Sequence, residues 1–191
     1  MLRATALLLC LCSLPALARP VRVSLNGTVG GRWLDEQLVT AAHQRATLTG
    51  GDLAFGGSLE VVGQLSRLRL GAQLAAEALE SPRGLEVGRS QPLGPFASSS
   101  DGVSSALFVS GAPFAGLAIG QDEVLHGWLD LLVPVELLSV KVEGERMLGL
   151  AVSPTLRLGA AVEVGDVGLE VSLLGTFIGT TRVALAIGLR L

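Results

Sequence analysis

The chain ends on "TRVALAIGLRL" (residues 181–191), where Val183, Leu185, Ile187, Leu189 and Leu191 alternate with Arg182, Ala184, Ala186, Gly188 and Arg190 up to the last residue. Period two sustained over such a stretch describes a β-strand with one aliphatic face and one face of arginines and small residues. An open strand edge at a terminus templates aggregation, so this segment requires a pairing partner on each side. The rest of the chain must supply both.

The same period runs upstream. Val21, Val23, Leu25, Gly27, Val29, Gly31 and Trp33 oppose Arg22, Ser24, Asn26, Thr28, Gly30 and Arg32. Phe55, Leu59 and Val61 oppose Ala54, Ser58 and Glu60, and Leu68, Leu70 and Leu74 oppose Arg67, Arg69 and Gln73, with Val62-Gly63-Gln64 read as the turn between them. Further on, Leu148, Leu150, Val152, Pro154, Leu156, Leu158, Ala160 and Val162 share one face, and Gly165-Asp166 closes a hairpin onto Val167, Leu169, Val171 and Leu173. In the middle, Leu129, Leu131, Val133 and Val135 keep one phase while Leu138, Val140 and Val142 shift by one residue, as a β-bulge produces.

These runs give eight strands, at about 20–33, 46–61, 65–79, 103–120, 128–142, 147–163, 167–178 and 181–191. A ten-strand count stays open, with Gly84 to Ser90 as a short strand and a break at Ala112-Pro113. Residues 34–45 and 80–102 break the pattern and read as long loops.

Residues 1–18 combine Arg3, an apolar run from Ala4 to Leu14, Pro15, and small residues at Ala16 and Ala18. That pattern is a secretory signal peptide cut after Ala18, because the apolar run is too short to span a bilayer. A lipid anchor on Cys10 or Cys12 is the rival reading. Both cysteines fall in the removed segment, so the chain from Arg19 forms a single cysteine-free domain, 19–191. Of the fourteen basic residues, the thirteen left once Arg3 is removed stand against seventeen acidic ones and provide no field for nucleic acid. The chain is 49% apolar, with a mean hydropathy of +0.57, yet beyond the signal no stretch is long enough for a membrane helix. Its apolar residues must therefore lie in alternation.

Alternation alone fits a soluble sandwich, with its apolar face inward, or a membrane barrel, with its apolar face outward. The polar faces here mix charge with Gly, Ala and Ser, as a crowded small-barrel interior requires. An even strand count also puts both long loops on one rim. Trp33, Trp128 and Phe177 fall near strand ends, where interfacial aromatics belong.

The pattern resembles the small bacterial outer-membrane β-barrel class, typified by the transmembrane domain of outer membrane protein A. The class carries a C-terminal insertion signal of alternating apolar residues, which Val183, Leu185, Ile187, Leu189 and Leu191 match in spacing, although Leu191 is not aromatic. The resemblance implies an all-β, closed, antiparallel up-and-down transmembrane β-barrel in the Gram-negative outer membrane. Its partners would be outer-membrane lipid and the insertion machinery, with no cofactor. Two features oppose it: there is no tyrosine, and Pro113, Pro134 and Pro154 fall inside proposed strands, where each needs a bulge or a strand end.

On these phases the interior holds Arg22, Arg32, Glu60, Arg67, Arg69, Asp130, Glu136, Arg157, Glu163, Glu170, Arg182 and Arg190. Burial requires that they pair across strands, so the expected role is structural or interactive, with a plugged lumen. A narrow pore and a secreted or periplasmic β-sandwich or lipid-binding barrel are the competing readings. A lipid-modifying enzyme using His43 with Ser98, Ser99 or Ser100 is a further one, but no spacing motif supports a triad. His126, in a predicted inner turn, lies too far from His43 in sequence to suggest a metal site. No catalytic, cofactor or metal residue is assigned.

Overall fold

The computed structural model describes residues 21–40, 45–80, 85–89, 97–99, 103–121, 125–142, 145–164, 167–176 and 181–190. Twelve strand segments occupy them: β1 (Arg22–Thr40), β2 (Arg45–Leu65), β3 (Leu68–Leu79), β4 (Leu85–Arg89), β5 (Ala97–Ser99), β6 (Val103–Gln121), β7 (Leu125–Leu132), β8 (Val135–Val142), β9 (Glu145–Val152), β10 (Thr155–Val164), β11 (Val167–Thr176) and β12 (Thr181–Arg190). All ladders are antiparallel, and the segments lie along a ring of eight staves: β1, β2, β3–β4, β5–β6, β7–β8, β9–β10, β11 and β12. The last strand pairs with the first from Ser24↔Arg190 to Trp33↔Thr181, which supplies the partner that the C-terminal pattern demands.

Closure can be followed residue by residue. Cross-strand partners lead from Arg22 through Val62, Gly71, Phe114, Leu132, Thr155, Thr176 and Arg182 back to β1 at Arg32, ten residues further on. A stagger of that size around eight strands tilts them by about 40° to the axis, inside the range of small closed barrels. The end with the Ser66–Arg67 turn is taken below as the lower end, and the end where β1 stops as the upper.

Above β11 and β12 the wall changes. Those two strands are short, and beyond Trp33 the free side of β1 reaches across to β9 through Leu38↔Gly149, Val39↔Leu148 and Thr40↔Met147. The circuit from Thr28 through Gly56, Glu77, Phe108, Leu138 and Gly149 to Leu38 again gains ten residues, now over six staves. The strands are therefore more strongly tilted there, at about 50° to the axis, and the tube narrower.

Several expectations need correction. The lower hairpin turns at Ser66–Arg67, with Ser66 at a φ of 54°, and not at 62–64; Val62 is paired with both Arg22 and Gly71. Most of the expected loop 34–45 is strand, and β4 and β5 lie within the expected loop 80–102. Residues 85–89 continue the third stave and β6 is unbroken from Val103 to Gln121, so the ring has eight staves and not ten.

The three prolines sit at a ladder gap. Pro134 lies between β7 and β8, Pro154 between β9 and β10, and Pro113 stays in β6 opposite the first of these breaks. Val133 N–H donates to Pro113 O at 3.1 Å and Ser153 N–H to Pro134 O at 3.4 Å, so neighbouring groups bridge where proline cannot donate.

Candidate functional site

In the lower part of the ring most large aliphatic side chains point outward and the charged ones inward. Leu25, Val29, Leu59, Leu74, Leu117, Leu158 and Leu173 are exposed, while Arg32, Glu60, Arg69, Glu77, Asp130, Arg157 and Glu170 are buried. Buried charges are costly unless paired, so each has to be matched within the tube.

They are matched in three layers. At the lower mouth Glu163 pairs with Arg22, with His126 at 3.4 Å and with Arg190 at 3.7 Å, while Arg190 also donates to Glu170 at 2.9 Å. In the middle, Asp130 accepts Arg69 Nε at 3.1 Å and Arg157 Nη2 at 2.7 Å, and Glu60 accepts Arg157 through both terminal nitrogens, with Arg69 at 3.7 Å. In the upper layer Glu77 takes Arg32 at 3.0 Å, Arg182, and the Thr28 hydroxyl at 3.1 Å, while Arg32 also binds Glu136. In these pairs six arginines face six carboxylates, so the three layers balance in formal charge.

Aromatic rings insulate the layers. Trp128 lies between Arg69 and Arg190, with guanidinium carbons 4.6 and 4.9 Å from ring centroids; Phe114 carries Arg157 at 4.7 Å and Phe108 carries Arg32 at 3.7 Å. Two glycines make room for them. A Cβ at Gly159 would collide with the Trp128 indole, and one at Gly71 with the Phe114 ring.

Above this network the polarity of the wall inverts. Arg32 is followed on the inward face by Leu34, Glu36 and Leu38, and Glu136 by Leu138, Val140 and Val142; the apolar ones form one buried cluster with Leu48, Leu85, Val87, Phe108 and Met147. The outer face inverts at the same level, where Trp33 gives way to Asp35 and Gln37, Leu53 to Thr49 and Thr47, and Leu137 to Ser139 and Lys141. Ion pairs thus line the lower interior beside the smaller apolar clusters around Leu132 and Leu174, and apolar side chains line most of the upper interior.

This inversion corrects the expected bulge. β8 alternates without a slip, and Leu138, Val140 and Val142 turn inward because the interior there is apolar. The one register shift in that ladder is in β6, between Val103 and Ser105.

No family model matches the chain, and no curated protein does either. Among solved structures it matches Neisserial surface protein A with a TM-score of 0.62 at 10% identity, over 91% of this chain and 97% of that one. It also matches Ail, the attachment invasion locus protein of Yersinia pestis, at 0.51 and 9% identity, over 90% and 98%. The chain has the fold of the small eight-stranded outer-membrane β-barrels.

Within this barrel, Arg22, Arg32, Glu60, Arg69, Asp130, Glu136, Arg157, Glu163, Glu170, Arg182 and Arg190 all lie in the interior pairs described above. Arg67 does not: it is exposed in the lower turn, where its carbonyl accepts Ala118 N–H. Glu77, the hub of the upper layer, was absent from the expected set although it shares the phase of Arg69. Trp128 is not an interfacial aromatic, being 2% exposed inside the tube, whereas Trp33 is 54% exposed and lies outside across Gly31 and Gly51. Val183, Leu185, Ile187 and Leu189 face outward on β12. Phe177, Leu191, His43, Ser100 and residues 1–18 lie outside the described residues, as do the side chains of Ser98 and Ser99. Among the described residues no cluster of His, Cys, Asp or Glu could hold a metal.

Proposed function

We propose that the chain is exported by residues 1–18, cut after Ala18, and stands as an integral outer-membrane barrel with a structural and interaction role. Its lumen is closed by a two-part plug, and β12 with Leu191 provides the signal read by the insertion machinery. The observation that carries this reading is the coincidence of the two inversions: outside, most of the aliphatic belt ends at the level where, inside, the ion-pair layers give way to a largely apolar cluster. A belt bounded this way suits hydrocarbon below and water above, and a neutral ionic layer under an apolar one leaves ions no continuous polar path.

The titratable groups of the tube are engaged in ion pairs, which supports a packing role for them over a catalytic one. The upper rim, where β1 and β4 end, is then left for contacts outside the cell. Refolded protein should show heat-modifiable migration, stay with the membrane in carbonate, and pass no steady current across planar bilayers. Recovery in the aqueous phase would refute membrane insertion; reproducible conductance steps would replace the plug with a pore.

A further inference from the structure

The outward face of the upper tier is not the same all the way round. Along β2 and β4, and on β1 as far as Gln37, the outward side chains above Trp33 and Leu53 are Asp35, Gln37, Thr47, Thr49 and Glu86. Along β9 the aliphatic surface climbs higher: Leu150 is 70% exposed, and Leu148 and its cross-strand partner Val39 are exposed beside it. Arg146 follows directly above, paired across the ladder with Lys141, both pointing outward and exposed. Neither has an ion-pair partner among the described residues; the turn residues Glu143 and Gly144 lie outside them. Of the other arginine side chains that the structure describes, Arg67 is in the lower turn and the rest are held inside the tube.

We propose that the β8–β9 hairpin docks one phosphorylated lipid of the surrounding leaflet, with an acyl chain along Val39, Leu148 and Leu150 and its phosphate between Lys141 and Arg146. The inference rests on the membrane reading above. Arginine grips phosphate oxygens in a fork and lysine adds a mobile point charge, while the raised aliphatic strip holds the chain that an inorganic anion lacks. Of the outward carboxylates, Asp35 stands on β1 beside β9 and Glu86 on β4; among the described residues only the β8–β9 hairpin presents two outward cations together.

The test uses the refolded barrel in neutral detergent with dioleoyl phosphatidic acid or phosphatidylcholine, read by native mass spectrometry. One phosphatidic acid should be retained per chain, and its affinity should fall about 25-fold in the Lys141→Ala/Arg146→Ala variant, since each cation near an anionic head group contributes roughly fivefold. Glu86→Gln should leave it unchanged, and inorganic phosphate at the same concentration should not displace it. Equal affinity for the two lipids, an unaffected double variant, displacement by inorganic phosphate, or a lipid-free dimer would each overturn the site. Heat-modifiable migration is scored on the same samples: its loss refutes the barrel in membrane, whereas its retention with no lipid preference refutes only the docking.

Discussion

Replacing Arg157 with methionine tests whether the interior is a matched set or a loose collection of charges. Arg157 donates to both Glu60 and Asp130, and without it these two buried carboxylates share Arg69 alone. Methionine keeps the apolar stem over Phe114, so the loss is electrostatic. Removing one partner of a buried pair costs about 3–5 kcal/mol, because the charge left behind is neither solvated nor compensated. With an m-value of about 2 kcal/mol/M, the urea midpoint of the barrel in detergent should fall by about 2 M. Midpoints can be read from heat-modifiable migration and far-ultraviolet circular dichroism. The decisive comparison is Glu60→Gln/Arg157→Met, which leaves Arg69 and Asp130 as a one-to-one pair. It should recover about 2 kcal/mol relative to the sum of the single variants, a coupling that contacting residues show and independent ones do not. A single variant that shifts the midpoint by less than about 0.5 M, or strictly additive costs, would refute the matched-network account.

Two further outcomes follow from the orientation of the wall. Arginine at Leu158, in the middle of the outer aliphatic belt, should cost about 2–4 kcal/mol of folding stability in lipid, whereas arginine at Ser139, above the belt on β8, should cost about 0–1; equal costs measured by denaturant titration in vesicles would remove the boundary between them. In a Trp33→Phe chain the indole of Trp128 should escape quenching by lipids brominated on their acyl chains, while a Trp128→Phe chain should be quenched strongly through Trp33; the reverse pattern would turn the wall inside out.

The closed ring was legible because period two continues through β2, β10, β11 and β12 with one face aliphatic, and the ladders then fix which strands meet. The upper tier was not legible, because a strand whose apolar face turns from outward to inward keeps the same period. Only the identity of each face changes. Thus Leu138, Val140 and Val142 looked like a slip in register, and Leu34 and Leu38, separated by Asp35, Glu36 and Gln37, looked like a loop. Trp128 looked interfacial because position along a strand carries no information about what stands opposite; its place was set by Gly159 on the neighbouring stave, which leaves a flat surface for the ring. Gly63 looked like a turn, yet the Leu65↔Leu68 register places the turn three residues later.

The inversion also explains why the wall can lose two strands where it does. The β1 ladder to β12 ends at Trp33, and the ladder to β9 begins at Leu38. An interruption in the ladder exposes backbone groups that hydrocarbon cannot satisfy, at several kcal/mol each, but that water satisfies readily. On β1 the interruption begins one residue above the last outward aromatic and beside the outward Asp35 and Gln37, on the side of the boundary that the membrane reading assigns to water. Inside, the same level is where Arg32 gives way to Leu34, and the narrower six-stave tube encloses the largest buried apolar cluster described. A barrel that dropped β11 and β12 lower down would lose Glu170, Arg182 and Arg190, and with them the charge balance of the tube.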